Sequence, residues 1–182
     1  GTMEIRMEFD EIALRPCTLK DCAALSLVGA ATFLEAFAGI LDGEAIIAHC
    51  AKQHSIETYA KYLGHPDCHA WLAETREGAA PVGYVMLASP DLPLPDLGPG
   101  DIELKRIYLF SRFHGKGADQ MLLDRAITTA VEADRHRLLL GVYRGNLRAF
   151  SFYRKNGFVD VGIRTFTIGH RQYDDLVLAR PL

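Results

Sequence analysis

The chain has 182 residues, 49% of them hydrophobic and 24% charged, a balance that excludes disorder and collagen-like architectures. Lys plus Arg number 20 against 23 Asp plus Glu, and the net charge of −3 is too near neutral for the basic footprint of a nucleic-acid binder. No apolar run approaches the roughly 18 residues needed to span a bilayer.

The length reads as one domain, Met3–Leu182, large enough to bury a core without metal or disulfide staples. Gly1 and Thr2 carry no weight in this reading, and the N-terminus has no apolar leader segment. Cys17, Cys22, Cys50 and Cys68 form no CxxC pair, which predicts free, mostly buried thiols in a reducing, cytoplasmic setting.

Alternation over Glu11–Arg15, stopped by Pro16, predicts a first strand. Asp21 is placed to cap an Ala- and Leu-rich helix running to Phe37, and Gly39, Asp42 and Gly43 break the chain after it. Helical pieces over Glu44–Gln53 and Ser55–Leu63 follow, the second with Ser55 as N-cap. Two strands, Ala70–Thr75 and Val82–Ala88, flank a turn-rich stretch at 78–81. Residues 89–101 hold four prolines and two glycines and read as a loop. Next come a strand at Ile102–Leu109, a turn at Gly115 and Gly117, and a helix striped by Leu123, Ala126, Ile127, Ala130 and Val131. The continuous apolar run Leu138–Val142 suits a strand covered on both faces. A short helix after Asn146 and strands at Phe158–Ile168 and Tyr173–Ala179 close an α/β pattern centred on one βαβ unit.

The stretch Phe110-Ser-Arg-Phe-His-Gly115-Lys-Gly117 leads from a strand end into a helix, where free backbone N–H groups make an anion site. It is not a Walker A loop, which needs Gly at 110 and Ser or Thr at 117, nor a dinucleotide fingerprint, which needs Gly at 120 in place of Gln120. Before it stands Ile102-Glu-Leu-Lys-Arg-Ile-Tyr-Leu109. About thirty residues after it stands Asn146-Leu-Arg-Ala149-Phe-Ser-Phe-Tyr153-Arg-Lys-Asn-Gly157-Phe158. In that order, these blocks resemble the Gcn5-related N-acetyltransferases (GNAT), densely over residues 102–160. The looser Leu14-Arg-Pro-Cys-Thr-Leu-Lys-Asp21 and Val82-Gly-Tyr84 stand in the expected order ahead of them.

The resemblance implies a mixed central sheet of about seven strands, flanking helices, and a splay between the fourth and fifth strands that receives acetyl-CoA. It implies that backbone groups of Ile107, Tyr108 and Leu109 pair with the pantetheine arm. Amides of His114, Gly115, Lys116, Gly117, Ala118 and Asp119 would hold the pyrophosphate, and Asn146 would reach the pantetheine. His114 stands where the family has Gln or Arg, and Asp119 where it has Gly or Ala. An outward Asp119 side chain leaves its amide usable, whereas an inward one repels a pyrophosphate.

Acetylating an amine needs a proton acceptor, because well under about 0.1% of a lysine-like amine is neutral at pH 7. Glu103 is the candidate base, set against a reading as a solvated strand-end residue. Strict alternation places Glu103, Lys105 and Ile107 on one face of the strand and Leu104, Arg106 and Tyr108 on the other. The Leu109 amide is the candidate oxyanion donor. Tyr153, by its family position, is the candidate acid for the CoA thiolate, set against a half-buried packing role. Phe33, Glu35 and Phe37, with Tyr59 and Tyr62, are candidates to line an acceptor pocket, with core packing the competing role for the phenylalanines. Trp71 reads as core. His49, Cys50, His54, His65, Cys68 and His69 match no zinc spacing, so no metal is expected.

The expected activity is acetyl-CoA-dependent transfer to a primary amine within a ternary complex. A soft likeness of residues 22–63 and of Gly162, Phe166, Gly169 and Tyr173 to bacterial polyamine acetyltransferases suggests a small amine or polyamine acceptor. A protein or peptide acceptor is the alternative enzyme reading. A non-catalytic acyl-CoA-binding module, or an interaction protein that has lost the cofactor, are the readings from other classes. No nucleic-acid or membrane partner is expected, and a homodimer is.

Overall fold

The computed structural model describes residues 11–182. The expectations for the leader, and for the domain's start at Met3, lie outside those residues. Seven strands form one sheet: β1 Ile12–Pro16, β2 His69–Thr75, β3 Pro81–Ala88, β4 Asp101–Leu109, β5 Arg137–Tyr143, β6 Val159–Ile168 and β7 Arg171–Pro181. Their order is β1-β2-β3-β4-β5-β7-β6, antiparallel except for the β4–β5 pair. This is the expected α/β GNAT fold. The helices are α1 Cys22–Phe37, α2 Gly43–Gln53, α3 Ile56–Leu63, α4 Ala118–Glu132 and α5 Leu147–Lys155.

Local chemistry explains most of the boundaries. The Ser55 hydroxyl accepts the Thr58 N–H at 3.1 Å and starts α3. Asp21 begins α1 but does not cap it through its side chain; that carboxylate instead accepts the Thr18 N–H at 2.7 Å and bonds Arg15. Tyr59, Tyr84, Leu72, Met86, Leu25 and Val28 form the core under α1 and α3. The opposite sheet face packs Val85, Leu87, Ile102, Leu104, Leu138 and Leu140 against Leu122, Leu123, Ala126 and Ala130 of α4.

Three core expectations are corrected. Val131 is 52% exposed, and Leu122 fills the stripe instead, because α4 turns its face by one residue toward β3 and β4. Trp71 is half-buried at the margin of the core, with the Arg125 guanidinium 4.4 Å over its ring. Of the four thiols only Cys22 is buried, and the other three are half-buried; all are free.

The feature that makes a site is the failure of β4 and β5 to stay together. They pair only over Asp101–Glu103 against Arg137–Leu139. Beyond that point the backbone edges of both strands are unpaired toward each other, and a buried edge with unmet N–H and C=O groups calls for a partner. A bulge adds to the divergence, since Met86 faces Arg106 while its neighbour Leu87 faces Leu104, leaving Lys105 as the extra residue. Strict alternation therefore fails here: Leu104 and Ile107 both pack on the α4 side, and Tyr108 packs on the α1 side.

Candidate active site

The splay opens into a cavity of about 650 Å³. Leu104–Leu109 of β4 and Leu140–Tyr143 of β5 form its walls. α1 closes one side with Thr32, Glu35, Ala36 and Phe37, and α5 the other with Arg148, Ala149, Phe152 and Tyr153.

Along β4 the backbone decides what is available. Phe110 N–H donates to the Val82 carbonyl at 3.0 Å, so Phe110 and Tyr108 turn their backbone groups toward β3. The same period turns those of Ile107 and Leu109 into the cleft. Tyr108, expected to offer backbone, offers its side chain instead, stacked on Tyr84 with ring centroids 5.9 Å apart. The Leu109 carbonyl is engaged by His114 Nε2 at 2.7 Å. The cleft therefore retains the Ile107 N–H and C=O and the Leu109 N–H.

At the other end, Gly115 (φ +73°) and Gly117 (φ +90°) take left-handed conformations that a β-carbon resists, and they lead the chain into α4. The first amides of α4 have no intrahelical acceptor and point out of its N-terminus. His114 does not aim at them. Its Nε2–H is fixed by the Leu109 carbonyl, so its Nδ1 accepts from Arg148 Nη1 at 2.5 Å. Asp119 turns back onto the loop, where its Oδ2 accepts the Gly115 N–H at 3.1 Å and lies 3.5 Å from Arg148 Nη2. Of the two orientations open from sequence, this is the inward one, partly neutralised by Arg148. Arg148, unremarked in the sequence, thus stands at the loop with two partners. Lys116 and Gly117 are exposed and Ala118 is buried; none of these three lines the cavity.

Asn146 caps α5, its Oδ1 accepting the Ala149 N–H at 3.1 Å, and lines the cavity with its Nδ2 free of described partners. Tyr153 is 8% exposed and lines the cavity, and its hydroxyl bonds no described residue. Burial, with Tyr108 and Asp119 nearby, pushes that hydroxyl well above the usual phenol range, so it stays protonated at neutral pH.

The remaining candidates divide. Glu35 lines the cavity, and its Oε1 accepts the Ser111 N–H at 2.8 Å. Phe37 lines it too. Phe33 lies behind, stacked on His49 with centroids 4.2 Å apart, and Tyr59 and Tyr62 also stay out of the lining. Glu103 is neither solvated nor in the cavity: it is 2% exposed, accepts the Asp91 N–H at 2.8 Å and sits 3.9 Å from Lys105 Nζ. It ties the proline-rich loop to the closed end of the splay.

Sequence reasoning also missed a buried polar network behind the cavity. The Tyr59 hydroxyl meets His54 Nδ1 at 2.8 Å, Tyr84 Oη at 3.1 Å and Arg106 Nη1 at 2.8 Å. Burial and the Arg106 charge push His54 down to about 3, so it is neutral. Its signal was Arg106 itself, a charged residue on a strand that must be covered on both faces.

The acetyltransferase (GNAT) family model matches residues 35–158. An uncharacterized N-acetyltransferase of Mycobacterium tuberculosis is 34% identical over 164 residues, covering 90% of this chain and 99% of that protein. The chain belongs to the GNAT family. Among solved structures, this GNAT chain is similar to a PaiA N-acetyltransferase from Thermoplasma acidophilum in complex with coenzyme A, with TM-score 0.75, 23% identity, and coverage of 94% of this chain and 99% of that one. It is also similar to a ribosomal-protein-alanine N-acetyltransferase from Brucella melitensis, with TM-score 0.70, 23% identity, and coverage of 93% and 99%. These two likenesses speak for the fold.

The residues present suit acetyl-CoA. The unpaired edge of β4 lines one cavity together with His114 and Asp119, which flank the glycine turn, and no atom lies within 4 Å of a β-carbon built on Gly115. Among the described residues no helix is long and apolar enough to cross a membrane, and no three His, Cys, Asp or Glu side chains gather as metal ligands.

Proposed function

We propose that this chain moves an acetyl group from acetyl-CoA to the primary amine of a small molecule, by direct transfer with both substrates bound. The observation that carries the reading is the wedge between β4 and β5, with Tyr153 on one wall and Glu35 on another.

Bound acetyl-CoA supplies an acyl group activated as a thioester. Ile107 and Leu109 offer backbone groups to the pantetheine arm, and Asn146 offers its Nδ2. The amides of Ala118 and Asp119 at the start of α4, with Arg148, offer N–H groups and a cation to the pyrophosphate, whereas the His114 and Gly115 N–H groups are held by the Ser111 carbonyl and Asp119. The Leu109 N–H stands as donor to the carbonyl oxygen as charge develops there. Tyr153 holds a proton at Oη for the departing sulfur, and burial keeps that proton in place until it is needed.

The incoming amine must lose a proton. The engagement of Glu103 by Asp91 and its place outside the cavity weigh against it as base. Glu35, with one oxygen still open to the cavity, is the better-placed acceptor through water.

Calorimetric titration of acetyl-CoA, followed by thiol release across an amine panel, tests the reading. Micromolar affinity, about −8 kcal/mol, with amine-dependent release supports it. Binding without release from any amine leaves an acyl-CoA-binding module instead.

A further inference from the structure

Charge in the cavity is not balanced. Asp119 lies 3.5 Å from Arg148, and Lys105 lies 3.9 Å from both Glu103 and Asp91. Arg106 lines the same cavity and has no carboxylate within ion-pair distance among the described residues.

Only one of its nitrogens is occupied. Nη1 donates to the Gln53 carbonyl at 3.1 Å and to the Tyr59 hydroxyl at 2.8 Å. Nε and Nη2 bond no described residue. Neither is sealed from solvent, because Arg164 Nε is the one fully buried side-chain nitrogen or oxygen among the described residues without a partner. The rings of Tyr59 and Tyr62 stand 5.2 and 5.4 Å from the guanidinium carbon and hold it in place without cancelling its charge. His54 beside it is neutral.

A half-buried guanidinium with open N–H groups and no counter-ion is a fork for a carboxylate. It is also unfavourable unless something fills it. Glu35 faces the same cavity from α1, so, with Lys105, Asp119 and Arg148 in ion pairs, the lining leaves one acidic and one basic side chain outside them, the pattern of a zwitterion. A polyamine would instead bring a second ammonium against Arg106.

We propose that the acceptor is an amino acid-like molecule, with Arg106 binding a carboxylate carried close to the reacting amine. The proposal rests on the acetyl-transfer reading above and sharpens its substrate class.

Matched acceptor pairs test it: phenylalanine with phenethylamine, and leucine with 3-methylbutylamine, followed by CoA thiol release. The expected result is a kcat/KM at least ~10-fold higher for the carboxylate member of each pair, the usual scale of a charge-assisted contact. Arg106→Met should collapse that ratio toward one through KM, and Arg106→Lys should restore part of it. Because Arg106→Met also removes contacts to Gln53 and Tyr59, inhibition of the unmodified protein gives an independent reading. 3-Phenylpropionate should compete with the amine, and 3-phenylpropanamide should not. Equal use of both members of each pair, or preference for the decarboxylated one, overturns the carboxylate subsite and leaves the transferase standing. No thiol release with any amine, from protein that binds acetyl-CoA, removes the transferase and the subsite together.

Discussion

Asp119 occupies the amide of Gly115: its Oδ2 accepts that N–H at 3.1 Å, at the loop proposed to receive the pyrophosphate. The contact ties the glycine turn to the first turn of α4, and it sets a negative charge where the ligand brings its own. Asp119→Ala frees the amide and releases Arg148, whose Nη2 lies 3.5 Å away. One neutral-scale hydrogen bond is worth about 1 kcal/mol, so acetyl-CoA should bind roughly fivefold tighter. Calorimetry on the variant decides: unchanged or weaker binding would show that the carboxylate organises the loop more than it obstructs the ligand.

Tyr153 makes the second prediction. Its hydroxyl bonds no described residue, so Tyr153→Phe removes no internal hydrogen bond and should leave the thermal midpoint within a degree or two. If the hydroxyl protonates the leaving sulfur, kcat should fall by about 10²-fold or more, while KM for acetyl-CoA barely moves. A variant with near-normal kcat would return Tyr153 to the packing role also open from sequence.

The dense match over residues 102–160 made the fold, and the cleft between β4 and β5 as the candidate site, legible, because strand, glycine turn and helix are local in sequence. What stayed hidden depended on long-range register. Glu103 belongs to the closed end of the splay only because β4 and β5 part after it. Tyr108 gives up its backbone to β3 only because of where that ladder falls. The bulge at Lys105 moves side chains between faces, and no pattern in Leu104-Lys-Arg-Ile107 announces it. Arg106 and His54 are 52 residues apart, and although Ser55 marks the turn between α2 and α3, nothing local says that the turn lands against β4.

Gly29 shows how tightly that network is held. A β-carbon there would sit on the Tyr59 hydroxyl and 2.5 Å from His54 Nδ1. α1 comes this close to Tyr59 and His54 only where it has no side chain, so Gly29→Ala must push α1 away or break the hydrogen bonds. The expected cost is about 1–3 kcal/mol from overpacking, despite the better helix propensity of Ala. The midpoint of urea unfolding measures it, and an unchanged or raised midpoint would mean that α1 yields without strain.

His54 gives the protein a pH dependence whose sign follows from its burial. It is 4% exposed, and burial beside the Arg106 charge pushes it from its ordinary value of 6.5 to about 3 in the folded state. The unfolded chain therefore binds a proton that the folded chain refuses. That favours unfolding wherever the pH lies below the unfolded value, so stability is full above about pH 7 and declines as pH falls from 6.5 toward 3. The slope for this single group approaches about 1.4 kcal/mol per pH unit, which gives a loss of roughly 2 kcal/mol between pH 7 and pH 5. Buried or ion-paired carboxylates add their own dependence lower in pH, so the comparison needs a variant without the imidazole. His54→Gln should start less stable at pH 7.5, having lost the fit to Tyr59, yet lose less stability on acidification to pH 5 than the unmodified protein. Parallel pH profiles for the two would mean that His54 can take up its proton in place, with Arg106 moving aside.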